Sequence, residues 1–213
     1  MDSIMQRILT GLLFLLPLMG FAQRFNGGIL AGGNVSQVDG DTYAGYHKAG
    51  YQAGAYVYLR VSPHSSFQME MEYFQKGSRK ASNPDSGVGD NSYLLRIHYL
   101  EIPVLYQYTF VKRVQAEIGP AADILLGSLE ETNGQPVTNM VPLRSVTLSG
   151  ILGIACYITP HLKAGIRVNY SLLSIRVPTD PEPAGYRHIL FETGQYNNVL
   201  SLTLSWDFKK FEQ

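Results

Sequence analysis

The sequence has little cysteine, little charge and, after its first 22 residues, no long apolar run. Cys156 is the single cysteine, so it has no disulfide partner within the chain, and its apolar strand pattern indicates a small hydrophobe rather than a catalytic thiol. Charged residues make up 16% of the chain, below the share of about a quarter that is typical of soluble domains. The composition therefore disfavours an ordinary soluble domain.

The charges of the chain are balanced. Its 17 basic and 17 acidic residues give a formal net charge of zero, which argues against nucleic acid or an anionic membrane surface as the partner. No apolar run of 18 residues occurs after Ala22, so no segment there is predicted to cross a membrane as a helix. Tyrosine (14), glycine (21) and phenylalanine (9) are plentiful instead.

The first 22 residues have the pattern of a secretory signal peptide. Arg7 supplies the basic start, residues 8–19 are mainly apolar, and Gly20-Phe21-Ala22 is a small-residue cleavage site. The apolar run is too short for a transmembrane helix, which needs about 20 residues. We therefore predict a signal peptide at residues 1–22 and one mature domain at residues 23–213. Gln23 rather than a cysteine comes directly after the predicted cleavage site, so the usual lipid attachment of a lipoprotein is not expected.

The mature sequence alternates between apolar and polar residues with a period of two, which is typical of β-strands. Six segments show this clearly: 49–61, 67–77, 114–126, 146–158, 162–172 and 199–208. Two more are less regular: 25–35, which is rich in glycine, and 93–110. Each of the six clear segments is near the length of about 9 to 11 residues that a tilted strand needs to cross a bilayer.

The segment 93–110 changes the phase of its alternation near its middle. Arg96 and His98 have one parity, whereas Glu101 and Gln107 have the other, which predicts a β-bulge between them. Pro103 cannot donate a ladder hydrogen bond, so irregular pairing is expected there as well.

The links between the predicted strands alternate strictly between short and long. The short links are 62–65, 111–113 and 159–161, and the long, polar links are 36–48, 78–92, 127–144 and 174–197. This alternation is typical of an up-and-down barrel with tight periplasmic turns and longer external loops. We therefore predict an all-β fold, an eight-stranded antiparallel up-and-down transmembrane β-barrel.

The apolar face of each strand is predicted to point outward into lipid. Its aromatic residues lie near the strand ends, as in a lipid-facing girdle: Phe67, Tyr73, Tyr106, Tyr108, Phe110, Trp206 and Phe208. The last strand also ends on aromatic residues, as outer-membrane proteins generally do. The alternative is a soluble barrel of the lipocalin kind, with the apolar face inside.

A barrel of eight strands is only wide enough for its own side chains, so charges inside it must be paired. We predict a structural polar network in the lumen from Arg60, Glu70, Glu72, Lys76, Glu101, Glu117, Asp123, Lys163, Arg167 and Asp207, with Arg96 as a further cation. The alternative is a proton-sensitive or catalytic cluster made by the same groups.

Motifs for catalysis or for cofactor binding are missing. Gly27-Gly28 and Gly32-Gly33 are not followed by a helix or by GK[ST], so they do not form a phosphate loop. The five histidines are dispersed without metal-ligand spacing. The loop residues His47, His188, Asp39, Asp41 and Asp180 lack a recognisable nucleophile. We predict no enzyme activity, no cofactor and no metal.

Four segments resemble the PorT family of outer-membrane β-barrel proteins. They are NVSQVDGDTYAGYHKAGYQAGAY (34–56), EYFQKGSR (72–79), YLEIPVLYQY (99–108) and EIGPAADILL (117–126). The resemblance implies an OmpA-like barrel in the outer membrane of a Gram-negative bacterium, with no known active site. The founding member of the family serves the type IX secretion system.

The functional expectation combines this resemblance with the long loops. We expect an accessory or binding component in protein secretion or surface assembly, surrounded by outer-membrane lipid, with secretion or envelope proteins as partners and no nucleic acid. Polar loops on a rigid scaffold are common binding sites, and those at 78–92 and 174–197 are the candidates here. The alternatives are a loop-displaying adhesion or ligand-binding barrel and a small outer-membrane enzyme.

Overall fold

The computed structural model describes residues 25–43, 45–82, 92–138, 141–177, 183, 185–189 and 192–211. They contain eleven β-strands: Phe25–Asp39 (β1), Lys48–Arg60 (β2), Ser65–Lys80 (β3), Tyr93–Val111 (β4), Val114–Thr132 (β5), Gln135–Pro136 (β6), Val146–Tyr157 (β7), Leu162–Ser171 (β8), Arg187–Ile189 (β9), Glu192–Gly194 (β10) and Tyr196–Asp207 (β11). Within these ranges, no helix is long and apolar enough to cross a membrane. The predicted signal peptide lies outside them.

The eight long strands form one closed antiparallel barrel. Strands that follow one another along this set pair with one another, and the barrel closes where β1 pairs with β11. The three short strands belong to the links: β6 pairs antiparallel with the end of β5, and β9 pairs antiparallel with β10. The prediction of an eight-stranded up-and-down barrel is confirmed.

The two rims of the barrel differ in the length of their links. The short-turn rim carries residues 61–64, 112–113 and 158–161, together with both ends of the described barrel. Arg113 in the tightest turn has a positive φ of 73°. The long-loop rim carries the other four links. The predicted alternation of short and long connections is therefore confirmed.

Side chains alternate between the lumen and the outer wall along every long strand. On β11, the side chain of Leu202 is 63% exposed, whereas that of its neighbour Thr203 is 5% exposed. On β3, Met69 and Met71 are exposed and Glu70 between them is buried. A closed barrel can leave its outer wall apolar only if that wall meets an apolar solvent, so the alternation agrees with the predicted lipid-facing surface.

The predicted β-bulge within β4 is wrong. Side chains of β4 alternate between the lumen and the outer wall without a break from Tyr93 to Gln107. The extra residue of the bulge lies on β5: His98 pairs with Gly127 and Tyr99 with Leu125, so Leu126 is left over. The sequence pattern changed phase because the lining changes from polar to apolar along β4, not because the strand is bulged. Arg96 consequently faces away from the lumen and does not join the predicted network.

Pro103 interrupts pairing as predicted. The ladder between β3 and β4 runs through Met69–Val104 and resumes at Glu72–Glu101, with the intervening positions unpaired. Proline has no backbone N–H to donate at this point.

Candidate functional site

The lumen is filled in successive layers, and the first of these lies at the short-turn rim. Tyr56 and Tyr157 donate hydrogen bonds to the two carboxylate oxygens of Asp207, at 2.5 and 2.7 Å. Phe211, from the end of the chain, stacks on Tyr157 with ring centroids 4.0 Å apart. The guanidinium of Arg60 lies 4.7 Å from the centre of the Phe211 ring. This rim is therefore closed by aromatic rings around one carboxylate.

Arg167 organises the next layer. Its guanidinium donates two hydrogen bonds of 2.7 Å to the carboxylate of Glu70, and its Nε donates to Glu117 at 2.8 Å. Lys163 also reaches Glu117, at 3.3 Å. Gln107 donates to Glu117 at 2.9 Å and thereby satisfies more of its acceptor capacity. All these groups are buried, and the fork geometry of arginine suits such a shared arrangement.

Lys76 organises a third layer nearer the long-loop rim. It forms ion pairs with Glu101 and with Asp123, the latter at 2.9 Å. Asn169 donates to Glu101 at 2.7 Å. Glu72 is buried as well, and one of its carboxylate oxygens has no hydrogen-bond partner. This layer therefore contains more carboxylates than cations. Neutral donors such as Asn169 provide some of the hydrogen bonds that the carboxylates accept.

The outermost layer of the lumen is apolar. It consists of the buried side chains Val38, Tyr93, Leu95, Ile97, Tyr99 and Ile175, with Tyr43, Leu125 and Leu143 packed against them. Ile175 comes from the link between β8 and β11 and is fully buried. The link therefore folds back into the mouth of the barrel and plugs it.

Polar contacts hold this plug in place. Arg176 is buried and forms an ion pair with Glu130 at 2.7 Å, and its Nε donates to Gln195 at 2.7 Å. Tyr93 donates to the other oxygen of Glu130 at 2.8 Å. Backbone bonds join the plug to the neighbouring link, since the amide of Arg144 donates to the carbonyl of Ile175 at 2.8 Å. We call residues 141–144, 172–177 and 192–195 the external platform.

The structure places the predicted network residues in these layers, apart from Arg96. Sequence reasoning missed the neutral partners Tyr56, Gln107, Tyr157 and Asn169, although each has the lumen parity of its strand. It also missed Glu130 and Arg176. No periodic signal marks those two, because one follows the bulge on β5 and the other lies in a link.

The polar groups at the long-loop rim do not form a catalytic arrangement in the described residues. The ring of His188 contacts the Thr193 hydroxyl, and Asp39 accepts hydrogen bonds from Tyr170 and Gln37. Burial raises the pKa of the Asp41 carboxyl group. Asp180 lies outside the described residues. Within them, no group of three or more His, Cys, Asp or Glu side chains could hold a metal ion.

Most of the chain matches a known protein family. Residues 21–176 match the family described as "Outer membrane protein beta-barrel domain". The chain belongs to this family. It is therefore an outer-membrane protein of a Gram-negative bacterium, with its apolar wall in the lipid bilayer.

Solved structures of outer-membrane barrels share the fold. Neisserial surface protein A is 10% identical, with 85% of this chain and 97% of that one covered and a TM-score of 0.55. The attachment invasion locus protein Ail of Yersinia pestis is 12% identical, with 86% and 98% covered and a TM-score of 0.50. No curated protein matches the chain. In this architecture the short-turn rim is periplasmic and the long-loop rim is external.

Proposed function

We propose that this barrel is a non-conducting, non-enzymatic binding component of the outer membrane that acts through its external platform. The observation that carries the proposal is the burial of Ile175 and Arg176 in the mouth of the barrel. A link that is anchored by an apolar side chain and an ion pair presents its neighbouring residues in a defined geometry. Such preorganisation lowers the entropic cost of binding a partner.

The other surfaces of the barrel offer less to a soluble partner. The outer wall faces lipid, the lumen is filled by its layers of side chains, and the periplasmic turns are short. In the described residues, the rings of His64, His161 and His188 contact neutral oxygen atoms rather than carboxylates. A catalytic histidine is normally oriented by a further group such as a carboxylate, which these three contacts do not supply, so this arrangement supports a binding role.

The process that we propose is protein secretion or surface assembly, in which the platform would hold an envelope or exported protein. Support for it comes from the resemblance of four segments to the PorT family.

A second candidate is an adhesion or ligand-binding barrel. A cavity of about 280 Å³ at the barrel mouth favours it, because polar and aromatic groups converge there: Asp41, Tyr93, Glu130, Arg176 and Tyr186 are among its lining residues. Small-molecule sites are usually concave with a few convergent polar groups.

The test compares a platform variant with a matched variant at the opposite rim. Arg144→Gln combined with Arg176→Gln should loosen the platform, whereas Lys112→Gln combined with Lys209→Gln changes exposed cations at the periplasmic rim. Each variant is expressed in a deletion strain, and its insertion is checked by heat-modifiable migration on gels.

The readouts are the set of secreted proteins and the attachment of cells to host or matrix surfaces. Loss of secretion with the platform variant alone supports the secretion role, and loss of attachment alone supports the adhesion role. If an inserted platform variant restores both properties fully, the platform is not the working surface and the proposal fails.

A further inference from the structure

The regular pairing of strands β2 and β3 ends before the external rim. Their ladder runs from Arg60–Ser66 to Gln52–Phe74 and ends there, although both strands continue. Beyond that point β2 pairs only with β1, and β3 pairs only with β4. Gly77 of β3 lies close to β4, since its φ is +142° and an added Cβ would lie 2.0 Å from the carbonyl oxygen of Leu95. Gly50 of β2 still lies against β3, where an added Cβ would be 2.3 Å from the carbonyl oxygen of Gln75, so the wall opens only at the external ends of the two strands.

The opening is a cleft of about 550 Å³ with a basic lining. Its cations are Lys48, Arg79, Lys80 and Arg96, and Glu131 is the carboxylate among the described lining residues. A second cavity, of about 600 Å³, adjoins it across Arg79, Lys80 and Ala81 and adds His47. Although the whole chain has a formal net charge of zero, positive charge is therefore in excess at this part of the external rim.

Within the described residues, the cations of this cleft have no carboxylate partner in an ion pair. Lys48 is 4% exposed, and its Nζ donates only to neutral oxygens, the Ala49 carbonyl at 2.6 Å and the Gln75 side chain at 3.1 Å. The Nε of Arg96 is buried without any hydrogen-bond partner. The lumen cations Lys76 and Arg167 contrast with this, since each pairs with two carboxylates.

Positive charge without an anionic partner is unfavourable in a partly buried site. The charges of Arg79 and Arg96 also act on Lys48 and repel it. An anion in the cleft would relieve this repulsion and would supply the missing acceptor for Arg96. Guanidinium groups bind the oxygens of phosphate in forked pairs, and an ammonium group adds a further donor.

We propose that the cleft between the external ends of β2 and β3 binds a phosphate group. Its opening through the wall at the external rim makes it accessible both to a phosphate-bearing lipid headgroup of the outer leaflet and to a free phosphate compound. The chemistry of recognition is the same for both sources. This inference goes beyond the proposed binding role of the platform and does not depend on it.

The first experiment measures binding of inorganic pyrophosphate to the full-length protein in neutral detergent micelles by calorimetry. Arg79→Gln combined with Arg96→Gln should weaken binding by at least about tenfold, because two charge-assisted contacts are lost. Lys112→Gln combined with Lys209→Gln removes the same amount of charge at the periplasmic rim and should leave binding unchanged. Heat-modifiable migration verifies that each variant is folded.

The second experiment separates the two sources of phosphate. The wild-type protein is reconstituted in phosphatidylcholine bilayers with and without phosphatidic acid, and pyrophosphate binding is measured again. Competition by phosphatidic acid supports a lipid headgroup as the occupant, and undisturbed binding supports a free phosphate compound. The proposal is overturned if the wild type does not bind pyrophosphate, or if the two double variants bind it equally well.

Discussion

The periplasmic and external halves of the lumen are filled in different ways. The periplasmic half is a network of buried ion pairs centred on Arg167, whereas the external half is an apolar cluster around Ile175. Both are built mainly from barrel strands, but the second is completed by Ile175, which comes from a link that has folded back into the mouth. The lumen of one small barrel can therefore be filled either by paired charges or by apolar side chains, and a link can complete the apolar part.

The largest expected effect concerns the ion-pair half. Arg167→Met leaves Glu70 and Glu117 with fewer partners in a buried site, and we expect the free energy of unfolding to fall by about 3 to 5 kcal/mol. Urea unfolding in lipid vesicles measures this, and Lys209→Met, which removes an exposed lysine, serves as the control. Arg167→Lys should be intermediate, because an ammonium group cannot fork to both carboxylates. An unchanged unfolding midpoint for Arg167→Met would show that the network is not stabilising.

A smaller and more local effect is expected in the apolar half. Ile175→Ala removes a fully buried side chain, at a cost of about 2 kcal/mol or more to the docking of the link. Hydrogen exchange of the amides at 172–177 should accelerate, while the global unfolding midpoint should move less than in Arg167→Met. Val177→Ala, at an exposed position of the same segment, is the matched control. Equal acceleration in both variants would contradict the plug.

The ion pair between Arg144 and Glu192 should matter least for stability. The two side chains are 25% and 19% exposed and lie 2.6 Å apart. Partly exposed pairs contribute at most about 1 kcal/mol and are screened by salt. Arg144→Gln should therefore leave the unfolding midpoint almost unchanged and increase only the rate of protease cleavage in the loops. A large shift in the midpoint would mean that the platform and the barrel unfold as one unit.

No change at all is expected in ion conductance. The wild type should show no stable single-channel current in planar bilayers, and Ile175→Ala should show none either, because the ion-pair half still fills the lumen. The predicted link 174–197 is corrected at both ends, since Ile175 lies in the plug and Asn197 in β11. Large stable currents from the wild type would contradict a filled lumen.

Much of the barrel wall could be predicted because alternation is a local property. Leu202 and Thr203 lie on the faces that their parity predicts, since successive strand residues must point to opposite sides. Arg96 was misplaced for a related reason. Its polarity predicts a place in the lumen, but Arg96 lies where the lumen is lined by apolar residues, so parity and polarity disagree there.

The strands, their order, the lipid-facing parity and the polar residues that line the periplasmic half can all be predicted from the chain alone. These depend on a period of two and on link lengths, which any reader of the chain can count. Only the tertiary structure decided which carboxylates share Arg167, how Ile175 enters the barrel mouth and where β2 leaves β3. Each of those depends on contacts between residues far apart in the chain, and the register and bulges that bring them together leave no periodic signal.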